Sequence, residues 1–267
     1  MYKRQVFRWI KRARGNTHLR SSSAPNVPLQ DGHTLPLLCT ACEGTFNGWE
    51  TPTARDVFQP MHDAGSRSIQ YGAFFLPFAV SVLWRVLFCN RRITAADDPT
   101  RALPVELHAV VDGTLETWRS YLLGETVASS AIPSEAYAFW LDENGSLRGV
   151  HSNFALDGMV IAAPLQGVRD SLILCVRLCR LCLVGVVRPG NHGLFQARRI
   201  GAHGGSLRRA HLLPRPVMSA VRHGQQREYD AIAEMSEHQL QRVVDDGNRQ
   251  RLWEKIGEAG PLVLRRP

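Results

Sequence analysis

Cys39 and Cys42, separated by Thr40 and Ala41, are the residues whose spacing points most directly to chemistry. Two cysteines with two small residues between them can turn both sulfurs toward one point, as thiolate ligation of a metal requires. Gly44 and Gly48 follow, as a tight knuckle requires, within an aromatic and acidic tail of Phe46, Trp49, Glu50 and Phe58. The expected ion is zinc in a structural role. A closed zinc site takes four ligands, and the further candidates, His33, His62 and Cys89, do not stand at the spacing of a second pair. The site is therefore expected to be incomplete within this chain. The alternative is that Cys39 and Cys42 are two cysteines packed near a turn.

The remaining constellations carry less. Cys175, Cys179 and Cys182 have the C-x3-C-x2-C spacing that can hold an iron–sulfur cluster, but they sit in an apolar, strand-like run. An extended strand sends Cys179 and Cys182 to opposite faces, so they read as packing residues, in keeping with the burial of free cysteine. Gly201 to Gly205 lacks the Lys-Ser/Thr of a phosphate-binding loop and reads as a hairpin turn. Neither a G-x-S-x-G nucleophile elbow nor an H-E-x-x-H metal helix occurs. His108, His151, His192 and His203 are scattered, and no catalytic residue is assigned.

The formal charge is +8, yet residues 1–20 alone hold seven basic side chains and no acid. The rest of the chain is close to neutral. Within it, no Asp or Glu falls between Asp170 and Glu228, while ten arginines do, among them Arg198, Arg199, Arg208 and Arg209. Such a run can form a positive face for the phosphates of DNA or RNA. The alternative is pairing with the acids of the C-terminal segment, from Glu228 to Asp246.

The elements that must position these residues read as α+β. A basic amphipathic helix is expected from Val6 to Arg14, a polar connection from Ser21 to Pro28, and a turn at Gln30-Asp31-Gly32. A short strand from Leu35 to Leu38 then delivers the knuckle. Helical spacing runs from Glu50 to Phe58, closed by Pro60. Tyr71 to Phe88, apolar on nearly all sides, reads as a central buried helix, and Glu106 to Leu123 as an amphipathic one ended at Gly124. Beyond Pro133 the pattern turns to antiparallel strands: Ala136 to Leu141, a turn at Asp142–Gly145, Met159 to Ala163, and a long or doubled strand from Leu172 to Val187. Gly193 to Ile200 and Ser206 to Leu213 complete the set. Ser236-Glu237-His238-Gln239 has the form of a capping box and opens a C-terminal helix.

Six irregularly spaced cysteines and the lack of a secretory signal suggest a reducing, cytoplasmic setting, with no secretion. The apolar runs 71–84 and 172–187 are too short or too interrupted by arginine to span a bilayer and read as buried core, with no membrane partner.

Residues 37–43 (Leu-Leu-Cys-x-x-Cys-Glu), with Phe46, Glu50, Phe58 and Pro60, resemble a group of bacterial proteins related to HNH endonucleases. So do the stretches 78–85, 118–124 and 235–239. The resemblance implies a treble-clef zinc module in which Cys39 and Cys42 supply the second ligand pair. An upstream C-x-x-C and a Ser-His-Ile-Ile-Pro-like segment would supply the first pair and a general base. Glu43 departs from the HNH pattern at a position that leads to a metal-binding His, which counts against nuclease activity. Residues 1–5 match the translation of a sequencing adapter, so the chain is expected to be N-terminally truncated and inactive as a nuclease. The expected organisation is an adapter scar at 1–5, the treble-clef remnant at 6–60 and an α+β domain at 61–267. Two functions remain open. One is a zinc-binding protein that contacts nucleic acid; the other is a non-catalytic interaction module with a purely structural knuckle.

Overall fold

The computed structural model describes residues 19–21, 24–29, 37–62, 66–93, 103–125, 136–141, 160–162, 166–168, 171–188, 193–210 and 212–249. The expected helix at 6–14, the segment 1–5, the turns at 30–32 and 142–145, and His33 lie outside these residues. The fold is α+β, with most helices early and most strands in the second half. A short hairpin, β1 (Leu19–Ser21) and β2 (Ala24–Leu29), replaces the polar connection expected at 21–28. Next come helix α1 (Thr40–Pro52), strand β3 (Ser68–Gly72), helix α2 (Phe75–Phe88) and helix α3 (His108–Leu122). The later strands are β4 (Ala136–Leu141), β5 (Val160–Ala162), β6 (Gln166–Val168), β7 (Ser171–Leu178), β8 (Leu181–Arg188) and β9 (Gly204–Ala210). Helices α4 (Arg215–Ala233) and α5 (Glu237–Arg249) close the described chain.

One seven-stranded sheet organises the molecule in the order β3-β9-β4-β8-β7-β5, with β6 also on β7. It is mixed where an antiparallel one was expected. The β4–β9 pair is parallel, and β3 from the helical half joins through β9. The apolar run 172–187 is doubled: it folds back at Cys179-Arg180 into the β7–β8 hairpin. Its turn carries no Asn-Gly signal. Cys179 instead adopts a left-handed φ of 53°, a conformation that costs a non-glycine residue on the order of 1–3 kcal/mol. Burial of the Cys179 side chain and a hydrogen bond from Arg177 Nε to the Cys179 carbonyl, 2.9 Å, hold it there.

Both faces of the sheet are covered, which is why β4, β7 and β8 are buried along nearly their whole lengths. On one face, α1, α2 and α3 pack with Leu172, Leu174, Val176, Leu178, Leu181 and Leu183. On the other, Val217 and Val221 of α4 and Phe195 cover Tyr137, Phe139, Ile173, Cys175, Cys182 and Val184. A strand buried on both faces shows a continuous apolar run rather than alternation.

Helix α2 begins at Phe75, since Tyr71 and Gly72 belong to β3. Pro77 is tolerated because it lies in the first turn, where no intrahelical N–H bond is lost. Trp84 Nε1 donates to the Leu115 carbonyl of α3 (3.1 Å), and Thr114 Oγ1 of α3 donates to the Val187 carbonyl of β8 (2.9 Å). Gly185 permits that approach: a Cβ there would stand 2.8 Å from the Trp118 ring. Helix α3 stops as expected at Gly124, whose φ is +70°. The 6→1 and 5→2 bonds Glu125 N–H to Ser120 and Gly124 N–H to Tyr121 make it a Schellman motif.

Two segments differ from the sequence expectation. Gly193–Arg198 is a 3-10 helix rather than a strand, with Phe195 turned into the second core. The stretch 201–203 turns between it and β9 and makes no hairpin, since β9 pairs with β3 and β4.

Candidate metal centre

The Cys39–Cys42 pair does not ride on a knuckle after a strand. Leu37 and Leu38 are not in a strand, and α1 starts at once, with Cys39 as its N-cap (φ −74°, ψ 163°) and Cys42 in its first turn. Helix geometry brings these positions together, because N-cap side chains accept from the N–H groups of the first turn. Here the Cys42 N–H faces Cys39 Sγ at 3.5 Å, and the Glu43 N–H bonds the Cys39 carbonyl at 2.9 Å. Cys39 is exposed and Cys42 half-buried.

The two thiols are shifted in opposite directions, chiefly by hydrogen bonding between the two residues. Hydrogen bonds from Cys42, led by its backbone N–H, hold the Cys39 thiol below its ordinary value. The Cys42 thiol is pushed up, chiefly by donating to Cys39, with burial adding to the effect. A metal ion bound by both sulfurs would require both thiols to lose their protons.

The helix that carries the pair is locked into the core by a buried ion pair. Arg85 of α2 donates to Glu50 Oε1 at 2.8 Å, with both side chains 9% exposed. The same guanidinium reaches the Ser81 carbonyl (3.0 Å) and Ser81 Oγ (3.2 Å), and it lies over the Phe46 ring at 5.5 Å. Phe46, Val57, Phe58 and Met61 join the core formed by α2, α3 and the sheet. Pro52 lacks an N–H, and past it the helix continues as a π-helical stretch, Thr53–Phe58, before a last α turn, Gln59–His62. Pro60 lies within that last turn and does not close the helix. Glu50 and Phe58 thus anchor the helical segment in the core.

Among the described residues, no group of three or more His, Cys, Asp or Glu side chains could hold a metal. His62 Nδ1 lies 2.7 Å from the Phe58 carbonyl, and Cys89 is half-buried where α2 runs into a π-helical turn, Cys89–Ile93. Cys175 and Cys182 face the second core while Cys179 faces the first, so the three sulfurs do not converge. Burial pushes the Cys182 thiol up to about 12 and that of Cys175 well above its ordinary range.

The four candidate phosphate-contacting arginines divide. Arg209 donates to the Ser66 carbonyl at 3.0 Å and lies 5.2 Å from the Trp140 ring centroid, on the side of the sheet that faces α2. Arg198 donates to the Arg208 carbonyl at 2.8 Å. Burial, and then the charge of Arg208, hold its pKa below the usual value. Arg199 and Arg208 are exposed, as are Arg215 and Arg222 on α4. Among the acids of the C-terminal segment, Asp230 and Asp245 accept from Gln226 and Gln241.

One further feature was not legible in the sequence. Asn26 of β2 clasps the α4–α5 turn, donating to the Glu234 carbonyl (3.2 Å) and accepting from the Ser236 N–H (2.7 Å). The capping interaction of Ser236 with the Gln239 N–H forms as the motif predicts, at 3.3 Å. No described helix is long and apolar enough to cross a membrane. Comparison with protein-family models, with curated proteins and with solved structures found no match.

Proposed function

We propose that this is an HNH-related zinc-binding protein in which Cys39 and Cys42 are structural ligands. In this reading the arginine-bearing face around Arg199 and Arg208 contacts the phosphate backbone of DNA or RNA. The observation that supports it is the placement of the C-x-x-C on the N-cap and first turn of a helix anchored in the core. That arrangement presents two sulfurs from a rigid support, as a structural zinc site needs. The remaining ligands come from outside the described residues. The proposal is of binding, and it assigns no general base. Zinc supplies cross-linking here and no reaction step.

The test has two arms. Because two thiolates do not close a tetrahedral site, the reduced chain should bind added zinc weakly, with zinc slowing alkylation of Cys39 and Cys42 and the effect lost in Cys39→Ser and Cys42→Ser. Retention of mixed-sequence DNA or RNA should fall steeply as salt rises, because each neutralised phosphate releases counterions. Alkylation of Cys39 and Cys42 that zinc does not slow sinks the metal reading; no retention at low salt sinks the nucleic-acid reading.

A second reading, a non-catalytic interaction module, draws support from Arg198 and Arg209, whose guanidinium groups are committed to backbone carbonyls. The double substitution Arg199→Glu with Arg208→Glu separates the two. Loss of nucleic-acid retention with unchanged stability supports the first; unchanged retention supports the second.

A further inference from the structure

We infer that Cys39 and Cys42 form a reversible dithiol–disulfide pair that reacts with low-molecular-weight disulfides. The inference concerns the same two sulfurs as the zinc reading but does not rest on it. Three observations carry it. The pair spans the N-cap and first turn of α1, with Cys39 Sγ already against the Cys42 N–H at 3.5 Å. The N-cap backbone is extended (φ −74°, ψ 163°), so the Cys39 side chain stands at the helix end and not along its flank. Access is asymmetric: Cys39 is open to solvent and Cys42 half-covered. An exposed attacking sulfur and a sheltered resolving one make a dithiol exchange centre.

The other described cysteines do not compete. Cys175, Cys179 and Cys182 are buried in the sheet on diverging faces, and Cys89 is half-buried at the end of α2. The pair is also pre-positioned, because α1 is held by the Glu50–Arg85 bridge and the Phe46 contact and does not need to fold around the reaction.

The chemistry balances in two steps. The Cys39 thiolate attacks one sulfur of oxidised glutathione; an S–S bond forms, the glutathione S–S bond breaks, and one glutathione thiolate leaves and takes up a proton. Cys42 then gives up its proton and attacks Cys39 Sγ, expelling the second glutathione. The two protein thiols are oxidised to one disulfide while oxidised glutathione is reduced to two thiols. The reverse sequence restores the dithiol.

The experiment uses the full chain, reduced and treated with chelator, then exposed to oxidised glutathione and mapped by peptide mass spectrometry. The expected result is loss of both thiols with a Cys39–Cys42 linkage, reversed by reduced glutathione. Cys42→Ser should stop at a stable glutathione adduct on Cys39. Cys39→Ser, which keeps a good N-cap residue, should lose the rapid reaction. A wild-type chain that accumulates the Cys39 adduct without closing to Cys42 overturns the inference, as does closure to a different cysteine. The effect of added zinc on alkylation of the reduced protein is measured in parallel. Protein whose alkylation zinc does not slow but that still closes the disulfide separates failure of the metal reading from failure of this one.

Discussion

Removing one side of the Glu50–Arg85 bridge tests what positions the cysteine pair. Glu50→Ala leaves the Arg85 guanidinium at a site only 9% exposed, held by Ser81 and the Phe46 ring. Breaking a buried pair by deleting one partner costs about 3–5 kcal/mol, since the surviving charge stays desolvated. That is a large share of the roughly 5–15 kcal/mol that holds a domain folded. Replacing both partners by apolar groups, Glu50→Leu with Arg85→Met, removes the uncompensated charge and should cost much less than Glu50→Ala alone, because buried pairs are often replaceable at little net cost. Urea unfolding followed by circular dichroism reads both, with the midpoint reporting stability and a constant slope reporting an intact transition. Loss of α1 docking should also expose Cys42, so alkylation of Cys42 in Glu50→Ala should quicken at urea concentrations where the wild type is protected. The reasoning fails if Glu50→Ala costs less than about 1 kcal/mol, the value of an exposed pair, or if the double substitution is no more stable than the single one.

Gly204→Ala should destabilise the β3–β9 edge, because φ is +119° there and the new Cβ would stand 2.6 Å from the Tyr71 carbonyl; thermal unfolding checks it. Gly185→Ala should cost about 1–3 kcal/mol by overpacking against Trp118, and Gly185→Ala with Trp118→Phe should recover part of it in the same assay. Cys182 binds its proton more tightly folded than unfolded, so its contribution is intact below pH 9.0, the ordinary thiol value, and is lost as pH rises toward about 12. Urea midpoints should fall across that window, and Cys182→Ala should flatten the fall. Asn26→Ala strips the clasp on the α4–α5 turn and should speed amide exchange at Ser236 without moving the stability by more than about 1 kcal/mol.

Much of this architecture was legible in the residues themselves. The strand at 136–141, the stop at Gly124, the Ser236 cap and the doubled apolar run 172–187 come from local rules, because capping and periodicity act within a few residues. The C-x-x-C marked the candidate site for the same reason. Tertiary structure decided what depends on partners far away in sequence. Tyr71 and Gly72 left the helical reading because β9 offered them a ladder some 130 residues on. β4 and β9 lie parallel through a connection that local patterning does not encode. Glu50 became a core residue only because Arg85 meets it in the interior, and Arg209 became a packing residue because Trp140 and the Ser66 carbonyl take up its guanidinium. A charge in sequence carries no record of whether water or a partner will surround it; that is settled when the sheet brings the two together.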